Sequence, residues 1–366
     1  MEHKLPDLVI GDLTINPPII QGGMGVRVSG ASLAGAVSAE GALGVIASVG
    51  LPSAAEAIED FVGGCQEALR REIRAVKAKG LPVGVNIMVA LSNYDSLVEA
   101  CVEEGADAII SGAGLPLKLP GYVGDAPIKL VPIVSSGKAA ALICNYWSRK
   151  YDRRPDAIVL EGPRAGGHLG FRFDDVQTGN VPDLETLLAD LLEVVEGVEQ
   201  QHAVKIPVVV AGGVSTGADI ARFLRLGADG VQMATRFVAT HECDVSQAFK
   251  EVYVNARDED VIVIHSPVGL PGRVIRNRFV ERILEGEKFN FRCPYHCLIT
   301  CKPDKVNYCI AEALVNAADG NFERGFAMCG ANVGRIDRIV SVKELLDELT
   351  RDAVVEMQEG VQGSIA

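Results

Sequence analysis

His168 has the sharpest chemical case in the chain. It ends the run Glu161-Gly-Pro-Arg-Ala-Gly-Gly-His168, a glycine-rich loop that follows a buried apolar stretch, and it is one of only 6 histidines among 366 residues. An imidazole titrates near neutrality and suits proton transfer. A loop histidine is more often ordinary surface, so the catalytic reading rests on its place after a strand. Arg164, four residues earlier, would attract an anionic substrate or pair with a surface carboxylate. His241 and His265 are weaker candidates and read as structural or lid residues.

A second group points to a phosphate. Ala211, Gly212 and Gly213 end an apolar run, and a helix follows at once. Adjacent glycines let backbone amides approach an anion, and a helix N-terminus adds partial positive charge. Met233, Ala234 and Thr235 end the next apolar run and offer further amides and a hydroxyl. A third group leaves room for a flat ring. Gly22, Gly23 and Met24 end the first run, Asn86 lies on the third, and Ser111 and Gly112 end the fourth. The Asn86 amide can both donate and accept at a heterocycle edge. Met24 could lie on a ring face, against the plainer reading of core packing. Glu161, Gly166 and Gly167 complete the candidate cofactor wall. One phosphate site beside one ring site suggests FMN, a mononucleotide flavin.

Ser135 and Ser136, with Lys138 beyond, could touch the cofactor phosphate or cap a helix; capping is the better reading of Ser136. Cys293, Cys297 and Cys301 are four apart, with Cys309 and Cys329 further on. Spacings of four would put three thiols on one helical face. Cys293, Cys297, Cys301 and Cys309 could ligate a metal or an iron–sulfur group, with His296 as a substitute. No second close pair exists, so the zinc pattern is loose. Small buried thiols are the plainer reading, and no metal is assigned. No Walker loop, nucleophile elbow or H-E-x-x-H is present.

These residues need elements to hold them. Short apolar runs alternate with helical patterns. Strands are expected at 17–24, 43–49, 83–89, 108–111, 128–134, 157–161, 208–211 and 230–234. Between them the pattern gives helices at 32–39, 54–79, 94–104, 138–149, 184–198 and 218–226. Continuously apolar strands are buried on both faces, as in a parallel sheet. Eight such units favour a (β/α)8 TIM barrel over an open doubly wound sheet, with function at the C-terminal strand ends. The rhythm then changes. The expected organisation is a barrel over 1–244, a helical lid or substrate subdomain over 245–335, and a C-terminal helix over 336–366 packing back on the barrel.

Composition agrees. The formal charge is −13, which disfavours nucleic acid as the main partner. Apolar residues make up 48% and charged residues 23%, a globular balance. The 39 glycines are roughly one and a half times the usual ~7%. No run of about 18 apolar residues occurs, so no membrane span is expected. The charged N-terminus lacks an export h-region, so a cytoplasmic location and free thiols are expected. A homodimer is compatible with the sequence.

The ordered motifs Ile20-Gln-Gly-Gly-Met24, Val85-Asn-Ile-Met88, Ser111-Gly-Ala-Gly114, Glu161 to Gly170, Ala211-Gly-Gly213 and Leu226 to Phe237 resemble the nitronate monooxygenase family. That family was formerly called 2-nitropropane dioxygenase and includes flavin-type enoyl-ACP reductases. The resemblance implies an FMN-binding barrel with a late lid. It places Gly212, Gly213, Ala234 and Thr235 at the phosphate, Gly23, Met24 and Asn86 near the ring, and His168 at proton handling. Two activities on a small-molecule substrate follow. The first is oxidation of a nitronate by O2 to a carbonyl compound and nitrite. The alternative is enoyl-thioester reduction with NAD(P)H as co-substrate. Gly22-Gly-Met24 looks more like the reductase branch, and the cysteine-rich lid departs from both.

Overall fold

The computed structural model describes residues 4–52, 59–291, 293 and 297–362. The chain opens with an antiparallel hairpin, β1 (Leu8–Ile10) and β2 (Leu13–Ile15). The barrel strands follow: β3 (Ile19–Gln21), β4 (Val45–Ala47), β5 (Gly84–Met88), β6 (Ala108–Gly112), β7 (Lys129–Val134) and β8 (Ile158–Glu161). After a two-residue strand, β9 (Gly167–His168), come β10 (Val208–Ala211) and β11 (Gly230–Met233). The spatial order is β4-β5-β6-β7-β8-β10-β11-β3, with every pairing parallel. The ring closes where Ile20 bridges Leu43. There the Gln21 amide donates to Leu43 at 2.9 Å and the Leu43 amide to Ile19 at 3.0 Å. The Gln21 side chain reinforces the seam by accepting from the Val45 amide at 3.0 Å. This is a (β/α)8 barrel, and the eight strands expected from the sequence occupy its eight positions.

Two cores account for the alternation along each strand. Inside the barrel, Ile20, Val45, Ile110, Val131, Val159 and Val209 pack together. Leu8, Ile10 and Ile15 join them, so the hairpin plugs the N-terminal end. Outside, residues of opposite parity, such as Ile46, Val85, Ile109 and Val210, pack against the helices. The helices carry their own stop and start signals. Asp60 accepts from the Gly63 amide at 3.0 Å and starts helix Phe61–Lys77, where a helix over 54–79 was expected. Residues 53–58 lie outside the described residues. Ser136 accepts from the Ala139 amide at 3.3 Å and caps helix Gly137–Tyr151, as its position suggested. The last helix, Val342–Gln362, packs on helix Gly217–Arg225. A Cβ at Gly217 would stand 2.4 Å from the Ala353 nitrogen, so the approach needs glycine.

The segment after residue 245 is less helical than expected. Helices Gln247–Asn255, Arg278–Leu284 and Ile310–Ala318 are present. Between them β12 (Val261–His265) and β13 (Pro271–Ile275) form an antiparallel hairpin, and β13 also pairs with β9. The β-branched run Val261-Ile-Val-Ile264 favours a strand, and Gly269 turns it with φ +89°. The thiol-bearing segment carries no helix at Cys297 and Cys301. It runs extended beside the loop after β5, with Leu298 bridging Leu91 and the Ile299 amide donating to Ala90 at 3.0 Å. Spacing of four therefore does not align these thiols on a helical face. Among the described residues no helix is long and apolar enough to cross a membrane.

Gly44 lies where the seam meets the first helix, and a Cβ there would stand 1.9 Å from the Ala34 carbonyl oxygen. Gly44→Ala should lower stability by about 1–3 kcal/mol. The urea midpoint will read this, and an unchanged midpoint would contradict the tight approach.

Candidate active site

A cavity of about 270 Å³ opens at the C-terminal ends of the strands. Its floor is built from strand ends: Gly22, Gly23 and Met24 after β3, Asn86 on β5, Gly112 on β6, Glu161 on β8, Ala211 to Gly213 after β10, and Met233 to Thr235 after β11. Gly166, Gly167 and His168 form one side. The fold thus gathers all but one of the expected site residues. The exception is Ser111. Strand residues alternate in direction, so with Ile110 and Gly112 facing in, Ser111 faces out. Its hydroxyl donates to the Ile87 carbonyl at 2.9 Å and lies 2.9 Å from the Tyr94 hydroxyl. Ser111 is a packing residue of the helix layer. Ser135 also stays off the cavity, donating to Gly170 at 3.0 Å.

The glycine floor has a steric cause. A Cβ at Gly23 would lie 2.4 Å from the Asn86 Cβ. The Asn86 side chain donates to Ile110 at 3.2 Å, which fixes its amide at the edge of the void. Gln232 also lines the void, and its buried Oε1 accepts no hydrogen bond among the described residues. A buried acceptor without a donor is costly in an empty protein and fits a ligand N–H.

At the other end, Gly212 and Gly213 have φ of +87° and +111°. Among the described residues neither amide donates to a carbonyl. The following helix carries its own capping box, with Thr216 accepting from the Asp219 amide at 3.1 Å and Asp219 accepting from the Thr216 amide at 3.1 Å. The Ser215 amide also donates to Asp219 at 3.0 Å. Residues of the late segment close over the glycine loop. The Gly330 amide donates to the Thr235 hydroxyl at 2.9 Å, and the Asn332 amide group to Gly213 at 2.7 Å. Arg335 donates to Ser215 at 2.9 Å. Arg164 donates to Asn332 at 2.5 Å and, among the described residues, pairs with no carboxylate.

His168 faces the cavity from β9. Its Nε2 lies 2.7 Å from the Ser266 hydroxyl oxygen, which accepts from the Val268 amide at 3.3 Å. With one hydrogen and a second lone pair left, the hydroxyl can bond Nε2 in either tautomer of the ring. Burial lowers the His168 pKa to about 4, so the imidazole is neutral at pH 7. Burial raises Glu161 to about 7 against the opposing field of Arg273. Arg273 itself is buried and donates to the Ala165 carbonyl. His265 stacks on Phe173 with centroids 3.6 Å apart, and the His241 carbonyl accepts from Lys250 at 2.9 Å. Neither histidine borders the cavity.

A nitronate monooxygenase family profile matches residues 7–352. The chain belongs to the nitronate monooxygenase family. Members of this family are oxidoreductases and in general flavoproteins. A Mycobacterium tuberculosis relative is 27% identical, aligned over 94% of this chain and 95% of its own. It is named (3aS,4S,5R,7aS)-5-hydroxy-7a-methyl-1-oxo-octahydro-1H-indene-4-carboxyl-CoA dehydrogenase. A probable nitronate monooxygenase of Staphylococcus saprophyticus is 27% identical over 77% of this chain and 82% of its own. FabK from Thermotoga maritima has the same fold, with TM-score 0.74 and 30% identity over 95% of each chain.

Several residues of this family member's site escape a strand-by-strand reading. Gln232 sits one position before the predicted Met233, and its inward parity was the available signal. Val268 and Met328, which line the cavity, and Ser266 and Asn332, which bond His168 and Gly213, come from the late segment, and only the fold brings them there.

In the flavin-free protein the folded pKa of His168 lies below the ordinary 6.5. Between about 4 and 6.5 the unfolded chain holds a proton that the folded one lacks. Stability from neutral His168 is therefore whole above about 6.5 and declines as pH falls toward 4. His168→Gln should flatten that slope in urea titrations across pH 4 to 7, and an unchanged slope would contradict the burial.

Proposed function

We propose that this protein is an FMN-dependent oxidoreductase that reduces an enoyl thioester with NAD(P)H. The balanced reaction is enoyl thioester plus NAD(P)H and a proton, giving the saturated thioester and NAD(P)+. The carrying observation is the chamber above the glycine floor. Phe249, Val268, Leu298, Ile310, Leu314 and Met328 wall it, which suits an apolar acyl group rather than a small anion. The neutral state of His168 points the same way. So does the end-to-end alignment with a relative named for a carboxyl-CoA substrate.

The residues present fit FMN. The amides of Gly212 and Gly213 would hold the phosphate, with Ala234 and Thr235 alongside. Gly23 and Met24 would border the ring, and Asn86 and the unpartnered Oε1 of Gln232 would meet its polar edge. Bound FMN supplies two-electron exchange with a nicotinamide or a substrate carbon, and one-electron exchange with O2. The chain's own part is positional. The apolar roof excludes water from the chamber, and His168, once it takes up the proton that the reaction consumes, would pass it to the carbon beside the thioester carbonyl and return to its neutral state. Ser266 fixes the ring's orientation from Nε2.

A second reading is nitronate oxidation by O2. It is favoured by Arg164, a cation at the cavity rim that no carboxylate neutralises among the described residues. The two readings separate under argon. NADPH or NADH should bleach the flavin, and crotonyl-CoA or a longer 2-enoyl-CoA should restore its colour. No bleaching, with oxygen uptake on propionate 3-nitronate, would overturn the reductase reading in favour of the second. His168→Ala should retain FMN while turnover falls by ~10²–10⁴. Undiminished turnover would remove His168 from the mechanism.

A further inference from the structure

Four cysteines that the proposed reaction does not use surround a second, smaller void beside the active-site cavity. Cys293, Cys297, Cys301 and Cys309 all line it, and Cys297, Leu298 and Ile310 belong to the walls of both cavities. The sequence alone left these thiols in a loose pattern. The fold draws them together, because the extended run at 297–299 pairs with the loop after β5 while Cys309 begins helix Ile310–Ala318.

We propose that Cys293, Cys297, Cys301 and Cys309 hold an iron–sulfur cubane at the rim of the active-site cavity. Four cysteine thiolates are the usual donor set of a four-iron, four-sulfide cluster. A single tetrahedral zinc, with Zn–S of about 2.3 Å, would need its sulfurs converging within about 3.8 Å of one another. Among the described residues no group of three or more His, Cys, Asp or Glu side chains is arranged to hold a single metal ion. Thiols ringing a void without meeting at a point suit a cubane, whose four irons carry their ligands on outward corners.

Leu298, Ile310, Phe291 and Pro303 share this wall with the thiols. Iron supplies the positive charge that lets thiols ionise in an apolar wall. Cys309 is the N-cap of its helix, so that helix start points at the cluster.

The test is metal analysis of the whole protein, purified under argon and reconstituted with ferrous iron and sulfide. About four irons and about four acid-labile sulfides per chain are expected, with a broad absorbance that dithionite bleaches. Cys309→Asn should lower iron at least tenfold, because the carboxamide is a poor iron ligand. Asparagine is among the best N-caps, so the helix and the far-ultraviolet spectrum should persist. Cys301→Ala, at a half-exposed position, provides a second variant with the same expected loss. Cys144→Ser, on the far helix layer, should keep its iron. One zinc per chain, or no iron with all nine thiols titrating, would overturn the proposal. So would full iron in Cys309→Asn and Cys301→Ala. Neither readout depends on FMN or on thioester turnover.

Discussion

The pairing of β13 with β9 is the interaction on which the site depends. His168 and Gly167 lie opposite Gly272 and Arg273, and the Leu169 amide donates to Pro271 at 2.9 Å. These few bonds join the loop after the sixth barrel strand to a segment about 100 residues later. They orient His168 toward the cavity and bring Ser266 to its ring. A Cβ at Gly166 would stand 2.6 Å from the backbone of Cys329, so the glycines of this loop are set by the closeness of the roof. Further along the same edge of β13, Val274 bridges Met328, and the Cys329 amide donates to Arg273 at 3.2 Å. The cavity wall, His168 and the cover over the Gly212–Gly213 loop are therefore tied to one segment of backbone.

That closure also sets the electrostatics. The chain as a whole is strongly acidic, yet the Gly212–Gly213 end of the cavity is made of backbone amides, which formal charge does not count, and of arginines, which the net figure hides. Gly212 and Gly213 present their amides, while Arg164 and Arg335 are held in place by Asn332 and Ser215. The roof removes water from His168 and Glu161 alike, and the consequences are opposite. The imidazole loses its proton and the carboxyl tends to keep one. Both groups reach neutral pH uncharged or nearly so, which suits chemistry on an uncharged acyl group in a low-dielectric chamber.

The barrel and its floor were legible in the sequence because each signal is local. Val85, Ile109, Val159 and Val209 sit in continuous apolar runs, and Gly22, Gly23, Gly212 and Gly213 mark strand ends where side chains cannot fit. Ser111 was misplaced because a motif names neighbours without their parity, and one residue of offset turns a cavity residue into a packing one. Gln232 was missed for the same reason in reverse. The late segment was least legible. The partner of β13 lies far upstream, and no periodicity reports a pairing at that distance. The thiols at 297 and 301 suggested a helix by spacing alone, while the bridge from Leu298 to Leu91 imposed an extended run. His296, considered as a substitute ligand, lies outside the described residues.

The central claim is that the glycine floor, the unpartnered Gln232 acceptor and the closed phosphate loop together hold one FMN. The most direct measurement is the visible spectrum of the purified protein, with its released cofactor identified and counted. The account predicts a yellow protein that yields about one FMN per chain, with the yield reduced by Gly213→Val, which would crowd the loop where φ is +111°. A colourless protein that takes up no added FMN would contradict it.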